Sequence, residues 1–257
     1  MFDSKKVTEE LIQWLKDWFD KNGKDCNAVV GISGGLDSST VAALCVKSLG
    51  ADRVYGVLMP NGIQHDIKYS VDLIKHLKID AIKCNIGSTV EFVYKSIING
   101  EYKDNMNKDF LRRIKISEQT KINLPARIRM STLYAVSQSI NGRVINTCNL
   151  SESYCGYDTR WGDSIGDVSP LAMLTKTEVR AIAEELSLPD EFVNKIPTDG
   201  LCGKTDEENF GFSYKVLDRY IRTGEIEDLE LKKKIDELHE RNLFKLKPME
   251  HFEYKGE

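Results

Sequence analysis

Val7, Leu11, Trp14, Leu15 and Trp18 recur at helical spacing until Asn22-Gly23 ends the run, so the chain opens on an amphipathic helix. Beyond it the pattern changes to short β-branched apolar runs separated by stretches of helical period. Asn27–Ile32, Val54–Met59, Asp80–Ile86 and Arg143–Cys148 predict strands, with helices at Asp37–Leu49, Asp66–Leu77, Thr89–Ile98 and Ala126–Ser139. This alternation predicts an α/β fold with a doubly wound, mostly parallel sheet flanked by helices, Rossmann-like in arrangement. Ligands of such sheets bind outside the carboxyl ends of the strands, where Ser33–Ser39 and Thr147–Glu152 are expected to meet.

Between the third and fourth strands, Asn99–Lys121 is polar and poor in strand signals, and is expected outside the sheet. After the fourth strand, Thr175-Lys176-Thr177-Glu178 reads as a capping box opening a helix over Lys176–Leu186, and Thr205-Asp206-Glu207-Glu208 opens another. Lys195–Lys204, rich in Gly, Pro and polar residues, has the composition of a lid or binding loop. Glu225–Arg241 predicts a charged helix with Leu229, Ile235 and Leu238 on its inward face. The expected organisation is one domain over 1–257: an N-terminal helix (1–26), an α/β core (27–200) and a C-terminal lid with helices (201–257).

Composition narrows the class without identifying it. The 36 basic and 40 acidic side chains leave a net charge of -4, which lacks the global basic field of a dedicated nucleic-acid binder. No run of about 18 apolar residues and no signal-peptide core occurs, so no membrane partner and a cytoplasmic location are expected. Six cysteines without a C-x-x-C pair, and four histidines without ligand spacing, argue for buried thiols rather than a zinc site or a disulfide framework.

The chemistry concentrates in Val29-Val30-Gly31-Ile32-Ser33-Gly34-Gly35-Leu36-Asp37-Ser38-Ser39. A strand feeding a Ser-Gly-Gly turn into a helix start offers free N–H groups and a positive dipole end to a phosphate, and glycine admits close backbone approach. The hydroxyls of Ser33, Ser38 and Ser39 add donors, and Asp37 sets a carboxylate where a cation bridging phosphates would lie. The Walker pattern G-x-x-x-x-G-K-S/T is missing, and with it the lysine that reaches the β/γ-phosphates, which weakens a terminal phosphoryl transfer. The second chemical block is Asn146-Thr147-Cys148-Asn149-Leu150-Ser151-Glu152, followed by Gly156-Tyr157-Asp158-Thr159-Arg160-Trp161-Gly162-Asp163 and, four residues on, Asp167. Taken singly, Glu152 suits a helix cap as well as it suits a metal ligand.

The S-G-G-x-D-S loop resembles that of the ATP pyrophosphatases, and adding Asn123–Met130, the N-x-S-E/G-Y-x-T-x-x-G-D block and Lys195–Leu201 in that order makes the chain similar to the NAD synthetases. The resemblance runs from about Asn27 to Tyr220 and implies an adenine nucleotide alpha hydrolase-like fold. It implies amidation of deamido-NAD by ammonia, with ATP forming an adenylated intermediate and leaving as AMP and pyrophosphate. Gly31, Ile32, Ser33, Gly34, Gly35, Leu36, Asp37 and Ser38, with Gln64, Thr147, Lys176 and Thr198, then match ATP-binding positions. Asp37 and Glu152 match ligands of Mg2+, the implied cofactor. Arg127, Arg160, Asp167 and Lys245 match deamido-NAD positions, and Asp163 matches an acid near the incoming ammonia, so Asp163 and Lys176 are the implied catalytic pair.

Three positions depart from the family pattern. Leu58 stands where relatives often carry arginine, Arg160 where many carry lysine, and Phe244 within a segment that often reads His-Lys-Arg. A homodimer is expected from the resemblance and from apolar surface on the Val7–Phe19 helix. Free ammonia is the expected nitrogen donor, since no cysteine sits in a recognisable glutaminase nucleophile turn. Two other readings remain open: another ATP pyrophosphatase, such as a GMP synthetase-like ligase, and a non-catalytic adenine-nucleotide-binding protein, which would not need Glu152, Asp163 and Lys176.

Overall fold

The computed structural model describes residues 2–100, 114–195 and 205–256. Four short parallel strands, β1 (Asn27–Gly31), β2 (Val54–Leu58), β3 (Asp80–Lys83) and β4 (Gly142–Ile145), form a sheet in the order β3-β2-β1-β4. The chain steps outward from β1 to β2 and β3, then returns past β1 to place β4 on its other side. That reversal puts a topological switch point between the carboxyl ends of β1 and β4.

Strand alternation divides the interior in two. Ala28, Val30 and Ile32 point to one face, covered by α1 (Ser4–Asn22), α2 (Leu36–Leu49) and α7 (Lys176–Glu185), and Val29 and Val57 point to the other, covered by α4 (Gly87–Ile98) and α5 (Glu118–Ser139). On α1, Val7, Leu11, Leu15, Trp18 and Phe19 all pack into the first core, and only Trp14 of the expected stripe stays exposed, at 44%. The N-terminal helix therefore uses its apolar face within the chain, and offers little of the surface expected for a dimer.

Among the boundaries that differ from expectation, two have clear physical reasons. α5 begins at Glu118, eight residues before the expected Ala126, and runs through Pro125. Proline removes the N–H that would bond the Lys121 carbonyl, and the Tyr94 hydroxyl takes that carbonyl instead at 3.4 Å. β4 stops at Ile145 because the Asn146 N–H turns away to the Val168 carbonyl (2.8 Å), so that segment covers the strand's open edge. β3, an edge strand whose four residues are all exposed, ends at Lys83, short of the expected Ile86.

The C-terminal region forms its own cluster. α6 (Leu150–Cys155), α10 (Tyr214–Thr223) and α11 (Leu229–Leu246) enclose Cys155, Phe210, Phe212, Leu217 and Ile235, and α11 begins four residues after the expected Glu225, capped by Asp228, and runs on to Leu246. Leu229, expected to face inward, is 74% exposed; Leu231 packs inward in its place, together with Ile235 and Leu238. Helices α3 (Ile67–Leu77), α8 (Asp190–Val193) and α9 (Asp206–Phe210) and a 3-10 turn over Ala51–Arg53 complete the described elements.

Candidate active site

The loop after β1 is shaped by contacts within itself. Ser33 Oγ and Ser38 Oγ lie 2.9 Å apart, Ser38 Oγ donates to the Gly35 carbonyl (3.2 Å), and the Ser33 N–H donates back to Ser38 Oγ (3.3 Å). Gly34 takes a left-handed φ of 71°, and a Cβ there would stand 2.6 Å from the Ser70 nitrogen, so only glycine fits. Gly35 is the N-cap of α2 without a side-chain cap bond, which leaves the helix start turned to the rim.

Asp37, one residue into α2, is where distant segments converge. Its Oδ1 accepts from Asn149 Nδ2 (2.9 Å) and its Oδ2 from Lys176 Nζ (2.6 Å), and the same ammonium donates to Glu152 Oε1 (2.9 Å). Lys176 opens α7 and Glu152 sits in the first turn of α6. Glu152 fills both roles that its position suggested: Oε2 accepts from the Asn149 N–H to close a capping box, while Oε1 faces the lysine. Asn149 serves twice as well, capping Glu152 through Oδ1 and steering Asp37 through Nδ2.

Burial makes this cluster electrostatically tight. The Lys176 side chain is 4% exposed, and the Tyr214 ring closes over its ammonium at 5.2 Å. Burial alone would lower the ammonium, but the Asp37 and Glu152 carboxylates reverse that and hold it well above the usual lysine range. Burial also pushes the Glu152 carboxyl up to about 7, a rise that Lys176 opposes and Asp37 reinforces. Two carboxylates around one ammonium leave the site short of positive charge. Hard carboxylate oxygens with an uncompensated negative charge fit Mg2+, which takes one or two protein carboxylates and completes its shell with phosphate oxygens and water.

Other expected site residues collect on the same rim. Thr147 and Cys148 follow β4, and Asp163 is held above them: its carbonyl accepts from Asn146 Nδ2 (2.6 Å) and Cys148 Sγ (3.1 Å), and its Oδ1 from the Thr159 N–H (2.7 Å). Protein crowding on one side of Asp163 raises its carboxyl, the Thr159 N–H and the Arg129 charge working against that, while its other side is open to solvent. On the opposite flank, Gln64 Nε2 donates to Asp66 (2.8 Å), Asp66 also accepts from Lys195 (2.7 Å), and Lys195 lies over the Tyr69 ring that packs against Gly34.

All four of the expected dinucleotide residues are engaged with the protein itself. Arg127 donates through Nε and a terminal nitrogen to the Arg160 carbonyl (3.3 Å each), and the Arg160 guanidinium is layered between Trp161 (4.9 Å) and Phe244 (5.3 Å). Lys245 donates to the Gly156 and Asp158 carbonyls (2.6 and 2.9 Å), tying α11 to the turn after α6. Asp167 caps the β4 edge, its Oδ2 accepting from the Val144 N–H at 2.7 Å. Thr198, with most of Lys195–Lys204, lies outside the described residues. Asn149, Tyr214 and Asp218 were not among the expected site residues; the Asn-x-x-Glu spacing of a capping box was the one local signal for Asn149.

A family model described as NAD synthase matches residues 7–255. The chain belongs to the NAD synthase family. Over 232 residues it is 37% identical to the NH(3)-dependent NAD(+) synthetase of Thermococcus sibiricus, covering 90% of this chain and 84% of that protein. The NH3-dependent NAD synthetase from Campylobacter jejuni superposes with a TM-score of 0.75 at 28% identity, covering 98% of this chain and 100% of that one. The NMN synthetase from Francisella tularensis superposes with a TM-score of 0.85 at 30% identity, covering 99% and 100%. The chain is thus an ammonia-dependent NAD synthetase, an ATP-using ligase with a four-stranded, all-parallel α/β core.

Proposed function

We propose that this chain amidates deamido-NAD with free ammonia through an adenylated intermediate, and that the Lys176 ammonium between Asp37 and Glu152 is the feature that carries the reading. The carboxylate of deamido-NAD attacks the α-phosphorus of ATP, a P–O bond breaks, and pyrophosphate leaves. Ammonia then attacks the activated carbonyl carbon, AMP leaves with the bonding electrons, and a proton is lost to give the amide. The hydroxyl-rich turn after β1 and the N–H groups at the start of α2, from Leu36 to Ser38, hold phosphate oxygens, and Lys176 stabilises the charge that grows on them. Asp37 and Glu152 would hold Mg2+, which would supply positive charge to offset that of the pyrophosphate. Asp163, with its raised carboxyl, receives the proton from the nitrogen donor.

Substrate binding extends along the rim. Gln64, Thr147 and Thr198 are read as nucleotide contacts, and Arg127, Arg160, Asp167 and Lys245 as the deamido-NAD side, the last two by shaping backbone rather than by free charge. The reading includes a cytoplasmic homodimer. Its supporting surface is the groove of about 520 Å³ lined by Tyr55, Ile82, Ile128, Ala135 and Ile140 on the α4–α5 side, where Ile82 and Phe92 are exposed.

A second reading, amidation of the smaller nicotinate mononucleotide, is favoured by the close superposition on the NMN synthetase. One assay separates the two. Purified protein with ATP, Mg2+ and ammonium is given each acid in turn, and products are resolved by chromatography. NAD, AMP and pyrophosphate in equal amounts from deamido-NAD are expected. ADP as the nucleotide product would overturn adenylation, and a higher kcat/KM for the mononucleotide would transfer the assignment.

A further inference from the structure

Asp218 is a buried carboxylate, 4% exposed, on α10, and nothing in the reaction above uses it. Its Oδ1 accepts from Ser151 Oγ (2.5 Å), and its Oδ2 accepts from the Thr177 N–H (2.8 Å) in the first turn of α7. Ser151 Oγ in turn accepts from the Lys176 N–H (3.0 Å). Ser151 precedes Glu152 in α6, so one carboxylate and one hydroxyl grip the backbone beside both members of the ion pair. A carboxylate at the start of α7 also satisfies N–H groups that the helix leaves open, which stabilises it there. From the same helix, Tyr214 covers the Lys176 ammonium.

We infer that Asp218 and Ser151 are positioning residues for catalysis: they fix the start of α7 against α6, and so set where Lys176 meets Glu152 and Asp37. Neither touches substrate. Their effect passes through Lys176, and the inference rests on the catalytic reading of that residue. A lysine displaced by about 1 Å loses much of its hold on a developing charge, whereas ground-state binding of ATP depends on the separate loop after β1. The signature is a fall in kcat with little change in KM.

The test compares Ser151→Ala and Asp218→Asn with Ser153→Ala, which removes a hydroxyl from the same helix that bonds only Asp158. Steady-state kinetics are run on the full chain at matched folded concentration, with melting temperature recorded. For Ser151→Ala the expected result is a kcat loss on the order of tenfold to a hundredfold, with KM for ATP changed less than about threefold. The half-saturating Mg2+ concentration should rise as Glu152 loses its fixed place, and Ser153→Ala should match wild type. Asp218→Asn keeps the shape and serves where the alanine variant fails to fold. Wild-type kcat in a folded Ser151→Ala or Asp218→Asn protein, or an equal loss in Ser153→Ala, would overturn the inference. Wild-type kcat in Lys176→Met would instead overturn the catalytic reading on which it stands.

Discussion

The two halves of the active site are built on opposite principles. The loop after β1 holds its shape through bonds spanning two to five residues, among Ser33, Gly35 and Ser38, with Gly34 supplying the left-handed turn. The cluster at Lys176 is made of groups far apart in the chain: Asp37 on α2, Asn149 and Glu152 at α6, Lys176 on α7, and Tyr214 and Asp218 on α10. The loop offers dipoles and N–H groups that are in place once β1 and α2 exist. The cluster exists only when these four helices have closed on a buried charge. A phosphate cradle is therefore separable from the charges that make it reactive, and damage to each should look different.

Removing the central charge should have the largest effect. Lys176→Met retains the volume but leaves two carboxylates facing each other in a buried place, and kcat should fall about a thousandfold or more. Saturating steady-state assays check it, with folding monitored by circular dichroism. Activity within about tenfold of wild type would show that the loop alone supplies the stabilisation.

Glu152→Gln sharpens the contrast within a single residue. Glutamine at the third helical position still closes the capping box through its carbonyl oxygen, so stability should change by less than about 1 kcal/mol. The anionic ligand is gone, and turnover should drop by about a hundredfold or more, with part of the loss recovered at high Mg2+. A large fall in melting temperature with intact kcat would mean that the cap is the side chain's whole role.

Gly34→Ala attacks the other half. The substituted Cβ meets the Ser70 backbone at 2.6 Å in a backbone conformation that alanine resists, so the loop must move, at a cost of about 1–3 kcal/mol. KM for ATP should rise more than kcat falls, the reverse of the pattern expected at Ser151. Equal losses in both would indicate that loop and cluster form one cooperative unit.

The smallest expected effect concerns the helix that carries Lys176. Burial acts to raise the Glu178 carboxyl, but the paired bonds from Arg222 (2.8 and 2.5 Å) and the Thr175 N–H (2.8 Å) outweigh it and leave it below the usual range. A carboxyl lowered by folding adds stability that is present above the ordinary glutamate range near pH 4.3 and fades as pH falls through the lowered value. Glu178→Gln should therefore cost about 0.5 kcal/mol at pH 7 and progressively less below about pH 4 in urea unfolding, since the pair is partly exposed. A difference that grows on acidification would have the wrong sign for this account.

The local pattern was sufficient for the strand-loop-helix at β1, the alternation that makes a parallel sheet, the capping boxes of α7 and α9, and the glycine turn at Gly34. Each of these depends on neighbours within a few residues, whose spacing and φ preference are properties of the chain itself. Motif order also brought Asp37, Glu152 and Lys176 to one site. Hidden from a local pattern were the features whose partners come from elsewhere. Pro125 sits inside a helix because Tyr94 answers the carbonyl it orphans, and Leu229 yields its inward place to Leu231. Glu152 is both cap and counter-ion because Asn149 and Lys176 reach its two oxygens from different sides. Asp218 carries no motif, and its meaning arises only where α10 packs across the starts of α6 and α7. Backbone conformation is set by adjacent residues, but a buried charge acquires its value from whatever the fold closes around it, and that closure was decided in three dimensions.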